Sequence, residues 1–137
     1  MRKVTLLLML LLPLVVAACG GTAGATEGPS IRFDVTALDL GGVPNGQIVE
    51  RDVTVTNAGG APLVVDAVTT SCGCTTATLE PMTIAPGATG TLHIAFDSGA
   101  HGPDLRGALM RQVMLSTNDP ARPEAVLELT ATILPPE

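Results

Sequence analysis

Two cysteines one residue apart, Cys72 and Cys74, are the part of this sequence best equipped for chemistry. In an extended chain residues i and i+2 point to the same face, with Cα atoms near the upper limit of about 6.8 Å for a disulfide. Gly73 lets the backbone bend and close that gap. Three readings fit the pair. The thiols pack structurally where Ser71 to Thr75 ends one strand and begins the next, or they form a local disulfide, or as thiolates they bind Cu(I), helped by Met110, Met114 or a histidine. A disulfide around so small a ring stabilises the fold by at most about 1 to 2 kcal/mol. Strain would make it reducible and opens a redox role. Zinc is disfavoured, since it takes four ligands and there is no second Cys pair or His pair.

Cys19 stands in a different setting. Arg2 and Lys3 form a charged start, Val4 to Leu12 an apolar run, and Pro13 breaks the helix ahead of Leu14-Val15-Val16-Ala17-Ala18-Cys19. That order is the pattern of a bacterial lipoprotein signal peptide. Residues 1–18 are expected to be removed, leaving Cys19 with a diacylglycerol on its sulfur and an acyl chain, such as palmitate, on its amino group. Two or three chains, at about 0.8 kcal/mol per buried methylene, hold a protein at a membrane firmly. A spanning helix fits less well, because the apolar run falls short of about 20 residues and contains Pro13. The expected location is the bacterial cell envelope, lipid-anchored on the extracytoplasmic side of a membrane. With Cys19 blocked, Cys72 and Cys74 are the only thiols, in a compartment that permits disulfides.

The other polar residues suggest no catalyst. His93 lies on the outward parity of a strand and His101 in a Gly/Pro-rich loop, so both read as solvated surface residues. Ser98, His101 and Asp104 are close in sequence, but a hydrolase triad needs an oxyanion hole and an activated serine, which nothing here signals. There is no phosphate-binding glycine loop or dinucleotide fingerprint. The chain reads as a non-enzyme with no catalytic residues.

The elements that must position these groups are strands. Residues 19–30 comprise the lipidated cysteine and a small-residue linker, GGTAGATEGPS, whose flexible span is about 18 Å. From Ile31 to Leu134 the pattern alternates with period two and is broken by Gly, Pro and Asn. Val53 and Val55 alternate with polar neighbours; so do Leu92, Ile94 and Phe96, then Leu109, Val113 and Leu115, then Leu127, Leu129, Ala131 and Ile133. Met110 and Met114 fall on the outward parity. Leu63 to Val68 is apolar on both parities, as a central strand would be. Counting Ile31 to Leu40 as one broken edge strand predicts about seven strands. The expected fold is all-β, an Ig-like antiparallel β-sandwich over residues 31–134. With no Trp and no widely spaced Cys pair, it should lack an inter-sheet disulfide.

Composition excludes some partners. Beyond residue 18 the chain has five arginines, no lysine and thirteen acidic side chains, a net charge of −8. Such a surface repels phosphate backbones and gains nothing from anionic headgroups, so nucleic acid is not an expected partner and membrane affinity falls to the anchor. Phe33 and Phe96 are the only aromatics, too few for a stacking platform.

The run Asn57-Ala58-Gly59-Gly60-Ala61-Pro62-Leu63, then Ser71-Cys72-Gly73-Cys74-Thr75, Ile84-Ala85-Pro86-Gly87 and Leu92-His93-Ile94-Ala95-Phe96 resembles a bacterial family of unknown function. Its members are often exported or lipidated and bear a Ser-Cys-Gly-Cys-Thr signature. That family is similar to the hydin-type, or ASH-like, immunoglobulin-like domains. Ser116-Thr117-Asn118-Asp119-Pro120 extends the resemblance over most of the domain. It implies the sandwich and no settled activity. The functional expectation is a membrane-anchored envelope lipoprotein with a non-enzymatic Ig-like interaction or scaffold domain and an envelope protein as partner. The alternative is a redox-active or Cu(I)-binding protein using Cys72 and Cys74.

Overall fold

The computed structural model describes residues 27–137. The signal peptide, Cys19 and most of the linker lie outside them. Nine strands form the described chain: β1 (Ile31–Phe33), β2 (Ala37–Pro44), β3 (Ile48–Asn57), β4 (Leu63–Thr70), β5 (Thr75–Glu80), β6 (Thr83–Ile84), β7 (Thr89–Asp97), β8 (Gly107–Thr117) and β9 (Glu124–Leu134). Among the described residues no helix is long and apolar enough to cross a membrane.

One sheet has the order β1-β3-β7-β5 and the other β2-β9-β8-β4-β6. Alternation decides what each strand buries. Val53 and Val55 of β3, Leu92, Ile94 and Phe96 of β7, Val113 and Leu115 of β8, and Leu127, Leu129, Ala131 and Ile133 of β9 all turn into one core between the sheets. Each large aliphatic side chain so buried contributes about 1.5 to 3 kcal/mol. The result is an all-β, Ig-like sandwich.

Three expectations change in detail. Ile31 to Leu40 is not one broken edge strand. Asp34 caps β1, its N–H donating to Thr54 O at 3.1 Å and its carboxylate accepting from Thr54 N at 3.0 Å, and the chain then crosses to the other sheet as β2. That crossing and the two-residue β6 raise the count from about seven to nine. Because β2 arrives by a crossing and not by a hairpin, it runs parallel to β9, the one parallel pairing among the described residues. The third concerns β4. A register shift between Val65 and Ala67 exchanges its inward parity, so Leu63 and Val65 are buried before the shift and Val68 is half-buried after it. β4 is interior in its sheet, between β8 and β6, but β6 pairs with Leu63 and Val64 alone, so its apolar residues on both parities owe more to the bulge than to cover on both sides.

The registers give the sandwich two ends. Ile31 lies opposite Asn57 and Leu63 opposite Ile84 at the end where the chain enters. Ile48 lies opposite Asp97, Thr75 opposite Phe96 and Pro44 opposite Leu134 at the other. The entry end is tied by polar side chains, of which Asn57 and Asp119 are buried and Asn118 is exposed. Asn57 accepts from Ser30 N and Gly59 N and donates to Ala61 O and Ile84 O at 2.8 and 3.0 Å. Asp119 accepts from Ile31 N at 2.9 Å, and Asn118 bridges Val64 N and Pro62 O. Ala58 N and Gly60 N donate to Ser30 O and Gly28 O, so residues 28–30, placed in the linker by the sequence, are hydrogen-bonded into the domain.

Candidate functional site

The cysteine pair sits where the chain passes from β4 in one sheet to β5 in the other, at the end opposite chain entry. Backbone bonds hold this crossing from both sides. Ser71 N donates to Gln112 O at 2.9 Å on β8, and Asp97 N donates to Cys74 O at 2.8 Å on β7. The Thr70 hydroxyl lies 3.0 Å from Cys72 O and 2.9 Å from Thr75 O. The resulting bend brings the Cα atoms of Cys72 and Cys74 to 5.3 Å, and the two sulfurs are joined as a disulfide. It lies within one loop and does not link the sheets at a distance in sequence.

The two sulfurs have unequal surroundings. Cys74 is 2% exposed, whereas Cys72 is half-buried. Arg111 donates its Nε–H to Cys74 Sγ at 3.4 Å, and the Thr75 hydroxyl lies 3.5 Å from Cys72 Sγ and 3.8 Å from Cys74 Sγ. A ring nitrogen of His101 and both sulfurs lie within 4.8 Å of one another. His101 is exposed, on a loop fastened by buried Asn45, whose amide donates to Gly102 O at 3.0 Å and Leu105 O at 3.1 Å. While the sulfurs are bonded to each other they offer no thiolate to a metal. Reduced, with His101, they would make a two-sulfur, one-nitrogen donor set of the kind that suits Cu(I).

Placement of the other singled-out residues is plain. Met110 and Met114 occupy β8 positions of opposite parity to Arg111, with Met110 54% exposed, so the strand turns them away from the pair. Ser98 is buried, and its hydroxyl accepts from Gln47 N at 2.9 Å and donates to the carbonyls of Pro44 and Gln47; it is a loop tie and not a nucleophile. His93 sits on an exposed face with Nδ1 2.7 Å from Asp52 Oδ1 and Nε2 3.8 Å from Glu50. The hydrogen bond to Asp52 raises its pKa; desolvation opposes this, and the charges of Asp52 and Glu50 add to the rise, which prevails. His93 is the surface residue the sequence indicates, whereas His101, though exposed, overhangs the sulfurs. Arg111 was not singled out at all. Its signal is legible: it shares the inward parity of Leu109, Val113 and Leu115, where a charge needs a reason.

Solved structures resemble this fold. A protein of unknown function from Porphyromonas gingivalis W83 is 24% identical with a TM-score of 0.67, over 80% of this chain and 49% of that one. The ASH/PapD-like domain 7 of human CEP192 is 11% identical with a TM-score of 0.54, over 100% and 99% of the two chains. The secreted serine protease VesC from Vibrio cholerae is 16% identical with a TM-score of 0.56, over 79% of this chain and 23% of that one. The chain thus spans about half the length of the first and less than a quarter of the protease. At these identities the likeness is one of fold. No curated protein matches the chain. The family model described as "Protein of unknown function (DUF1573)" matches residues 31–133, and the chain belongs to that family.

Proposed function

We propose that this protein is a lipid-anchored envelope protein whose Ig-like domain is a non-enzymatic interaction module, presenting its Cys72–Cys74 loop and the neighbouring Ser98–Gly107 loop away from the membrane. One observation supports the reading most. The chain enters at the Asn57 and Asp119 end, while the Ser71–Thr75 and Ser98–Gly107 loops lie at the other. The nine residues of β7 separate those ends by about 30 Å, at about 3.3 Å per residue. A tether fixed at Cys19 would therefore hold one end near the lipid and offer the other to a partner. The anchor itself rests on the sequence that precedes Cys19.

The test has two arms. Cys19→Ala should release the protein from carbonate-washed membranes, and retention of the variant there would overturn the anchor. A photo-crosslinking residue at position 103, in the far loop, should give protein adducts in native envelopes, and one at position 121, at the entry end, should not. Adducts from position 121 alone, or from neither, would overturn the module's orientation.

A further inference from the structure

We propose that the Cys72–Cys74 disulfide is an exchange site for the dithiols of exported proteins, with Cys72 as the sulfur attacked and Cys74 as the leaving thiolate. This assigns a partner class to the far loops and rests on the interaction reading above; it does not depend on Cys19.

The first argument is that the disulfide has little to do as a staple. It closes a ring around Gly73 alone, so it constrains the unfolded chain by about 1 to 2 kcal/mol at most. The bend at Ser71–Cys74 is meanwhile fixed by bonds in which the sulfurs take no part, from Ser71 N, Asp97 N and the Thr70 hydroxyl. The second is asymmetry of access. An incoming thiolate must approach a sulfur from outside, and Cys74 is enclosed while Cys72 is half-open. The third is charge. Arg111 points its Nε–H inward from β8 to Cys74 Sγ while its Nη1 donates to Met110 O at 2.8 Å, and among the described residues the salt bridges are those of His93, so the guanidinium lies beside a sulfur and a carbonyl and pairs with no carboxylate. A half-buried cation beside a sulfur favours the thiolate there, and a stabilised thiolate leaves faster.

The step balances without any further reagent. A partner thiolate attacks Cys72 Sγ and forms a mixed disulfide, while the Cys72–Cys74 bond breaks and its electron pair passes to Cys74 Sγ beside Arg111. His101, within reach of both sulfurs, takes the proton of the incoming thiol. The partner's second thiolate then attacks its own sulfur in the mixed disulfide and releases Cys72. The partner ends as a disulfide, oxidised by two electrons, and Cys72 and Cys74 end as thiols with the partner's two protons.

The full chain in detergent permits a direct test, because trypsin releases residues 52–106 as one peptide containing both cysteines and not Cys19. Millimolar dithiothreitol should reduce the pair in the folded protein, and resistance until unfolding would overturn the proposal. With reduced glutathione as the attacking thiol on the oxidised pair, the mixed disulfide trapped by acid and alkylation should carry glutathione on Cys72 at least tenfold more often than on Cys74, as fragment masses of the 52–106 peptide report. Equal occupancy, or glutathione mainly on Cys74, would overturn the proposal. Arg111→Gln should slow reduction by about tenfold with Arg111→Lys restoring part of the rate, and in the Cys72→Ser background it should move the thiolate absorbance titration of Cys74 to higher pH. An unmoved titration in folded Arg111→Gln protein would remove Arg111 from the site. Should that variant not fold, the position of the trapped glutathione in the wild-type pair decides alone.

Discussion

Gly59 and Gly73 both sit in turns, yet only the first has to be glycine. A Cβ at position 59 would overlap Gly28 O and lie 2.7 Å from Ser30 N, because the entering chain passes directly against it. Position 73 opens onto empty space, and its φ lies outside the left-handed region that demands glycine. Gly59→Ala should therefore lower stability by about 2 kcal/mol and loosen residues 28–30, while Gly73→Ala should stay within about 0.5 kcal/mol; thermal melts and amide exchange at Ser30 measure both. Asp119 sets a pH dependence. Burial pushes its carboxyl up, but the N–H groups of Ile31, Ala121 and Arg122, with the Arg122 charge, outweigh that and hold it below the ordinary carboxylate value. Its contribution is thus complete above the unfolded carboxylate range and is lost as pH falls through the lowered folded value. Asp119→Asn should cost about 1.5 to 3 kcal/mol at neutral pH and flatten the acid side of the stability curve, as denaturant titrations from pH 7 to pH 3 would register.

At the scale of strands, β3, β7, β8 and β9 are plain in the sequence because each alternates cleanly and buries one parity. Leu129, fully buried on β9, and Val126, 42% exposed on the same strand, mark the two faces. Leu129→Ala should cost about 2 to 5 kcal/mol and Val126→Thr less than about 0.5, a contrast that urea midpoints would resolve. Periodicity tells which way a side chain faces but not which sheet its strand joins. That is why Ile31 to Leu40 reads as one element until Asp34 is seen ending it against Thr54. A bulge complicates parity in the same way in β4, where one extra residue turns the strand's apolar residues onto both parities. The pairing of Cys72 with Cys74 was one of three open readings, and only the fold reveals that His101 and Arg111 converge on it from distant loops and strands.

As a whole, the molecule is one core with two unlike ends, the first closed by Asn57 and Asp119 and the second bearing sulfur, imidazole and guanidinium. Its excess of acidic side chains repels polyanions. The parallel pairing of β2 with β9 has a consequence for assembly. Leu38 lies opposite Leu129, and β9 is β2's neighbour in the sheet, so an early segment of the domain must wait for nearly the last before it finds its place. Contacts so far apart in the chain form slowly, and a nascent polypeptide of this design stays threadable until its final strand is available.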